Sequence, residues 1–264
     1  MKFRPPPSSA RPSYPLARLS VVFSRICILC ILLWRPQCVN AVKLQGGSAL
    51  ALAGKKCAVL AMDRRVGTSA QLLVGGEWND YEDEKEGNVK GSQRILKVNG
   101  RLLLGMVGYD AMAGAFFDML RAELHLRSMR LEQHALGECA TTITPKALSL
   151  LVSHMLYYRF RGSGTAPIVA GLEADGTPVL CTQDSLGAVS FQKDFVALGS
   201  SSKAVLGACE ALYRPNLEGD ALLQLACRCL RAGLERDCAS GYGLVAYLIT
   251  PEGMARTCVQ GRMD

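Results

Sequence analysis

The residues of this chain best suited to chemistry are a small set of hydroxyls and carboxylates. The stretch LQGGSALALAGKKCAVLAMDRR, residues 44–65, places Gly46 and Gly47 before one apolar run and ends a second apolar run on Asp63. Ser48 follows the glycines directly. Two interpretations are open: an ordinary strand start, or a position where a catalytic side chain belongs and is missing.

Histidine and cysteine chemistry has little support. His125, His134 and His154 fall in predicted helices or near their ends, and none has a carboxylate or cysteine partner at ligand spacing. The eleven cysteines include one Cys-x-x-Cys, at Cys27 and Cys30, without the second pair that a zinc site needs. We expect no metal, no cofactor, and reduced thiols that are mostly buried.

The charge balance argues against a nucleic-acid-binding protein. The formal net charge is +7, but residues 1–44 carry seven basic groups and no acid. The rest of the chain is therefore neutral, whereas a nucleic-acid module keeps a basic face on its folded part. We expect no nucleic-acid partner.

Residues 1–44 are basic and proline-rich, then apolar. The run ICILCILLW has nine residues, too few for a bilayer-spanning helix, which needs about 20. Three interpretations compete: a targeting segment, a removable propeptide, or translated sequence upstream of the true start. We expect an extension that is disordered, removed or wrongly included, and a folded domain over residues 45–264 that does not contact membranes.

The elements that would position these residues alternate between strand pairs and helix pairs. Hairpins are predicted at 54–56, at Asn99-Gly100 and at Asp175-Gly176. Helices are predicted from Asp110 to about Leu131, after the Thr144-Pro145 cap, and over 200–213 and 219–237. Two closing strands flank residues 251–253. This order predicts two sheets packed face to face between two helix layers, an α+β fold.

Residues 75–91, GGEWNDYEDEKEGNVKG, interrupt this pattern. The segment holds six acids, two lysines and four glycines, a composition typical of a solvated surface loop. We interpret it as an acidic insertion in the domain, with a partner-binding role as the alternative.

Several stretches together resemble the beta-type subunits of the proteasome core particle. They are GGSALALAGKKCAVLAMDRR, PIVAGL, GSSSKAVLGACEALYRPN, ERDCASGYGLVAYLI and the terminal RMD. The combination is similar, more narrowly, to the eukaryotic type-three beta subunits. The resemblance implies the four-layer αββα sandwich of the N-terminal nucleophile hydrolases, in agreement with the element order above.

In active members of that family, a threonine freed by autocleavage attacks the peptide carbonyl, and its own amino group can act as the base. An acid, a lysine, an aspartate and two serines hold and tune it. The resemblance assigns these positions here to Gly46 before the cut, Gly47 as nucleophile, Asp63, Arg94 in place of the lysine, Ser200, Asp237 and Ser240.

The resemblance therefore implies a vacated active site. Glycine has no hydroxyl, so no acyl-enzyme can form at Gly47, and arginine cannot replace a lysine whose pKa is tunable. We expect no enzyme activity, and a non-catalytic subunit that binds other alpha and beta subunits in a stacked-ring particle of the cytoplasm and nucleus. Asp184, in CTQDSLGAV, is expected to reach a neighbouring subunit's substrate pocket and to favour basic side chains there.

Two rival hypotheses belong to other classes. One is an active amidohydrolase that uses Ser48, although a one-residue slip on a strand turns a side chain to the opposite face. The other is a membrane-anchored or exported protein directed by residues 18–34.

Overall fold

The computed structural model describes residues 46–68, 71–74, 94–134 and 143–262, with side chains throughout except at 66–68, 71–74 and 131–134. All of these residues belong to one compact unit, Ala41–Asp264. The extension over 1–44 and the acidic segment 75–91 lie outside the described residues, so both interpretations stay predictions.

Within the described residues, antiparallel strands and four helices alternate along the chain. The strands are β1 (Ser48–Ala53), β2 (Ala58–Asp63), β3 (Arg65–Thr68), β4 (Gln71–Val74), β5 (Ile95–Asn99), β6 (Leu102–Val107), β7 (Ala166–Leu172), β8 (Pro178–Gln183), β9 (Val189–Gln192), β10 (Phe195–Gly199), β11 (Leu244–Thr250) and β12 (Gly253–Val259). The helices are α1 (Asp110–His134), α2 (Pro145–Arg159), α3 (Ser202–Leu212) and α4 (Gly219–Leu234).

The strands form two five-stranded antiparallel sheets. The first has the order β10-β1-β2-β11-β12 and the second has the order β5-β6-β7-β8-β9. Strands β3 and β4 pair as a separate two-stranded hairpin. The first sheet thus joins the beginning, the middle and the end of the domain, which brings residues distant in sequence to one edge.

Three apolar clusters separate four layers. One lies between the first sheet and helices α3 and α4, and a second lies between the other sheet and helices α1 and α2. The third, which includes Leu60, Leu103 and Ile168, lies between the two sheets. Two sheets enclosed by two helix layers are the predicted αββα sandwich, and the fold class is confirmed.

Strand β1 shows how the sequence specifies this packing. Its alanines, Ala49, Ala51 and Ala53, face the second sheet, while Leu50 and Leu52 face the helices. Side chains alternate between the faces of a strand, so SALALA places small residues where two sheets meet and large residues under helices. Every residue of β1 is buried.

The predicted hairpin turns and helix start are confirmed at several points. Strands β1 and β2 pair across the turn at 54–57, and β5 and β6 pair across Gly100. The Thr144 side chain caps helix α2 by accepting a hydrogen bond from the Ala147 N–H at 3.3 Å. Helix α1 continues to His134 rather than ending at Leu131.

Strand β10 and the β3–β4 hairpin are absent from the predicted elements. Strand β10 is only five residues long, FVALG, and a run this short carries no clear periodic signal. Pairing with β1 decides its conformation.

The close approach of the last strand to the start of β11 leads to a stability prediction. Gly243 has φ +79°, and a Cβ atom there would lie 2.4 Å from the Val259 carbonyl oxygen. We expect Gly243→Ala to lower the free energy of unfolding by about 3 kcal/mol, because it combines backbone strain with a steric clash. Urea unfolding followed by circular dichroism would measure this change.

Gly114 in helix α1 is the matched control, since a Cβ there would have no neighbour within 4 Å. Gly114→Ala should raise stability by about 0.5–1 kcal/mol through helix propensity. Equal effects of the two substitutions would contradict the packing described for Gly243.

Candidate functional site

Residues from separate parts of the chain meet at one end of the first sheet. They are Gly46 and Gly47 before β1, Asp63 at the end of β2, Arg94 before β5, Ser200 after β10, and Asp237 and Ser240 between α4 and β11. Hydrogen bonds connect these residues into two groups, one around Asp63 and one around Asp237. The assignment of roles to them nevertheless remains a proposal, argued below.

Asp63 is the buried acid of the first group, with a fully inaccessible side chain. Its Oδ1 atom accepts hydrogen bonds from the Ser48 N–H and from Arg94 Nη1, both at 2.9 Å. Its Oδ2 atom accepts one from the Gly241 N–H at 3.3 Å. The carboxylate therefore ties β1, the loop before β11 and the segment before β5 to the end of β2.

Arg94 is held on every arm of its guanidinium. Nη1 pairs with Asp63, Nε pairs with Asp110 Oδ1 at 3.0 Å, and Nη2 donates to the Gly46 carbonyl oxygen at 3.3 Å. Its side chain is only 5% exposed. An arginine fits this place because its planar fork can satisfy three acceptors at once, which a lysine ammonium does with less fixed geometry.

The guanidinium of Arg94 occupies the space that a side chain at position 47 would need. A Cβ atom on Gly47 would lie 2.3 Å from Arg94 Nη1 and 3.1 Å from its Cζ. Gly47 also has φ +141°, a conformation that residues with a side chain rarely adopt. The observed position of the Arg94 guanidinium therefore requires a glycine at position 47.

The second group is built on Asp237. Its Oδ2 atom accepts hydrogen bonds from the hydroxyls of Ser200 and of Ser240, the latter at 2.7 Å. The Gly47 N–H donates to Ser200 Oγ at 3.4 Å, which connects this group to the start of β1. A carboxylate with two serines beside a main-chain N–H could orient an amine or a hydroxyl at position 47, but Gly47 carries no hydroxyl.

The side chain of Ser48 belongs to neither of these two groups. Its Oγ atom is hydrogen-bonded to Ser201 Oγ at 2.6 Å and accepts from the Ser201 N–H at 3.3 Å. The residue is fully buried. The pairing with Ser201 weighs against Ser48 as a nucleophile.

The two carboxylates have opposite pKa shifts. Burial raises the pKa of Asp63 to about 6, although Arg94 and the N–H groups of Ser48 and Gly241 oppose the rise. Burial also acts to raise the pKa of Asp237, but hydrogen bonds from Ser200, Ala239 and Ser240 together hold it below its ordinary value.

The raised pKa of Asp63 predicts an unusual pH dependence. A raised folded-state pKa adds stability that is full below the ordinary value of 3.8 and is lost as the pH rises through about 6. We expect wild type to lose about 3 kcal/mol of stability relative to Asp63→Asn between pH 3 and pH 7. Urea unfolding of the wild-type protein and of Asp63→Asn at several pH values would measure this stability difference.

Carboxylates that do not interact with Asp63 affect wild type and Asp63→Asn equally, so the comparison isolates Asp63 together with its charge repulsion from Asp237. The contribution of Asp237 has the opposite sign, because a depressed pKa adds stability that is lost only as the pH falls below its ordinary range. A stability difference between the two proteins that does not change with pH, or that shifts in favour of wild type toward pH 7, would contradict the raised pKa of Asp63.

Asp184 lies in the exposed turn after β8. Its Oδ1 atom accepts hydrogen bonds from the N–H groups of Leu186 at 2.9 Å and Ala188 at 2.8 Å. The carboxylate therefore shapes its own turn, and the same exposed turn presents Leu186, which is 48% exposed. Its contact with a neighbouring subunit stays a prediction.

Two residues of the network were not predicted. Asp110 completes the ion pairs of Arg94, and Ser201 donates hydrogen bonds from its hydroxyl and its N–H to the Ser48 hydroxyl oxygen. The sequence marks Asp110 only as an acid in the first turn of a helix, which is an ordinary helix-start feature. No local signal links it to Arg94.

Two other kinds of feature are absent from the described residues. No group of three or more histidine, cysteine, aspartate or glutamate side chains there is arranged to hold a metal ion. No described helix combines the length and the apolar character needed to cross a bilayer.

Comparison with known proteins identifies the family. A family profile described as "Proteasome subunit" matches residues 84–249. The chain is 32% identical to the proteasome subunit beta type-3 of Oryza sativa subsp. japonica, 33% to beta type-3-A of Arabidopsis thaliana and 31% to the probable beta type-3 of Schizosaccharomyces pombe. Each alignment covers 86% of this chain and 100% of the relative. The chain therefore belongs to the proteasome subunit family.

Proposed function

We propose that this chain is a non-catalytic, type-three beta subunit of the proteasome core particle, with a structural role in protein degradation. One observation carries the proposal: the position expected to hold the nucleophile is Gly47, and the guanidinium of Arg94 fills the space of its missing side chain. The names of the relatives, all beta type-3, support the same assignment.

The residues that surround the nucleophile position support a structural role for this site. Asp63 and Arg94 form a buried ion pair at 2.9 Å, and Asp237 is hydrogen-bonded to two serines. These hydrogen bonds anchor the start of β1 to four other segments, and the buried side chains of Asp63 and Arg94 require such partners. Without a nucleophile at position 47 the site has no group to attack a peptide bond, while the anchoring contacts continue to stabilise the sandwich.

Assembly with other alpha and beta subunits agrees with the outer surface of helix α2. Leu150 is 63% exposed and Tyr158 is 69% exposed, and Tyr157 beside it is 48% exposed. Large apolar side chains grouped on one exposed face mark a surface that a partner covers. In a closed ring of different subunits, each subunit meets its two neighbours through different patches. We place the particle in the cytoplasm and nucleus.

Native purification of the tagged full chain tests this proposal. We expect it to elute with other alpha and beta subunits at the mass of a stacked-ring particle, and to remain unlabelled by a covalent threonine-protease inhibitor that labels other subunits of the same particle. Recovery as a monomer would refute the structural role. Covalent labelling of this chain, or a mature N-terminus at Ser48, would refute its lack of catalysis.

Asp184 is the residue that we propose to act on a neighbour. Its carboxylate lies in an exposed turn, and a negative charge near a substrate pocket favours basic side chains. We expect Asp184→Asn to lower cleavage after arginine and lysine by the assembled particle about 3- to 10-fold. Peptide substrates with basic, acidic and apolar residues before the cleaved bond would measure the change.

Asparagine keeps an oxygen that can accept the two turn hydrogen bonds, so the substitution removes the charge and preserves the turn. Cleavage after acidic and apolar residues serves as the internal control and should stay constant. An unchanged rate after basic residues, in a particle of normal composition, would remove Asp184 from the pocket.

A further inference from the structure

One edge strand of the first sheet combines an open edge with an unpaired charge. Strand β12 stands at the end of the order β10-β1-β2-β11-β12, so within the described residues it pairs with β11 and has no strand on its other side. None of its seven residues is buried. The outer row of main-chain N–H and C=O groups on such a strand can pair with another extended chain.

Arg256 is the unusual residue of this strand. Its Nε atom is buried and has no hydrogen-bond partner, and it is the one charged side-chain atom in that condition among the described residues that are at least partly buried. A buried N–H without an acceptor costs free energy, and the penalty is larger when the group carries a charge. The part of the chain that the structure describes supplies no acceptor, so one from another molecule would remove this cost.

The register of β11 and β12 places Arg256 on the face of the first sheet that meets the second sheet. Arg256 lies directly opposite Tyr247, and Met254 lies opposite Ile249. Tyr247, Met254 and Ile249 all belong to the apolar cluster between the sheets. Lys97 of β5, an edge strand of the second sheet, has its Nζ atom 5.4 Å from the centre of the Tyr247 ring. The surroundings of Arg256 are therefore apolar and positively charged.

We propose that the outer edge of β12 binds an extended segment of a partner chain, and that a glutamate or aspartate of this segment pairs with Arg256. Main-chain hydrogen bonds to a sheet edge give such a complex affinity, and side chains at alternate positions give it specificity. A carboxylate fits because its two oxygens can accept from the planar guanidinium, Nε included. An apolar residue two positions from the acid lies on the same face of the added strand and would contact Met254.

The unpaired donor has a consequence for the free chain. Arg256→Met keeps a long side chain among apolar neighbours and removes the buried N–H, so its urea midpoint should equal or exceed that of wild type. A clearly lower midpoint would show that the guanidinium already stabilises the free chain, and would overturn the proposal. This inference goes beyond the proposed function, since it involves neither Gly47 nor the exposed face of α2 and requires no ring.

Fluorescence anisotropy of labelled peptides with the purified full chain tests the pairing. One ten-residue peptide alternates valine and threonine and carries a glutamate near its centre, and a second has glutamine in that place. We expect the glutamate peptide to bind about 10-fold or more tightly than the glutamine peptide, and Arg256→Met to remove this preference. Arg228→Met is the matched control, because it removes the same charge from an exposed position on α4 and should keep the preference.

Hydrogen exchange followed by mass spectrometry locates the bound peptide. The glutamate peptide should slow exchange over residues 253–259 and leave residues 189–192 unchanged, which form β9, an edge strand of the second sheet. Equal affinity of the two peptides for wild type, or slowed exchange elsewhere than β12, would overturn the proposal. Inorganic phosphate should give no such protection, and protection by phosphate alone would indicate an anion site without strand pairing and would also overturn it. None of these outcomes bears on co-elution with other subunits.

Discussion

Gly47→Thr alone will yield a chain without peptidase activity and with a free energy of unfolding about 3 kcal/mol lower than that of wild type. The new Cβ atom would lie 2.3 Å from Arg94 Nη1, and the residue would have to keep or abandon φ +141°. A returned hydroxyl is therefore forced into a site whose space is already occupied. Urea unfolding and a fluorogenic peptide assay would measure the two effects.

The same geometry predicts strong coupling between positions 47 and 94. Arg94→Lys removes the guanidinium atoms that the new side chain meets, so Gly47→Thr should cost at least about 1 kcal/mol less in the Arg94→Lys background. A double-mutant cycle measures this interaction directly. Strict additivity of the two substitutions would show that the guanidinium is not the obstacle. Gly114→Ala, in open space on α1, is the control for adding a side chain to a glycine.

Arg94→Met will destabilise the chain by about 3–5 kcal/mol, because it leaves the Asp63 carboxylate buried without its counter-ion. Arg94 also satisfies Asp110 and the Gly46 carbonyl oxygen, so three acceptors lose a donor together. Thermal and urea unfolding of the purified chain would measure the loss. A loss no larger than that of an exposed pair would refute the burial of this network.

Adding Asp63→Asn to Arg94→Met should recover much of that stability, since the second change removes the unpaired charge. The exposed pair Arg121–Asp118 supplies the matched comparison: its side chains are 48% and 78% exposed, and Asp118→Asn should change stability by less than about 1 kcal/mol. A double variant no more stable than Arg94→Met would indicate that the lost contacts to Gly46 and Asp110 dominate instead.

The exposed apolar face of α2 and the filled position at Gly47 lead to one interpretation of how the chain acts. The contacts that remain around Asp63 and Asp237 hold the first strand in place, and the outer helix layer offers surface to partners. Both features agree with the architectural role that we propose for this subunit.

Local patterns of the sequence determined a large part of the fold. The hairpin at Asn99-Gly100, the Thr144-Pro145 helix start and the alternation in SALALA each depend on residues within a few positions of one another. Such short-range preferences can be recognised in the sequence without a structure. The short strand β10 was missed because its conformation depends on pairing with β1, which lies far away in the chain.

The sequence by itself determined what the candidate site lacks: no hydroxyl at Gly47, and an arginine at position 94. Only the tertiary structure decided what those residues do to each other. That the Arg94 guanidinium lies in the side-chain space of Gly47, that Asp110 completes its ion pairs, and that Ser48 turns to Ser201 all depend on contacts across the sandwich. The Ser48–Ser201 contact spans 153 positions. Composition and spacing do not encode which distant side chains will compete for one volume, because that is settled by the packing of whole strands and helices.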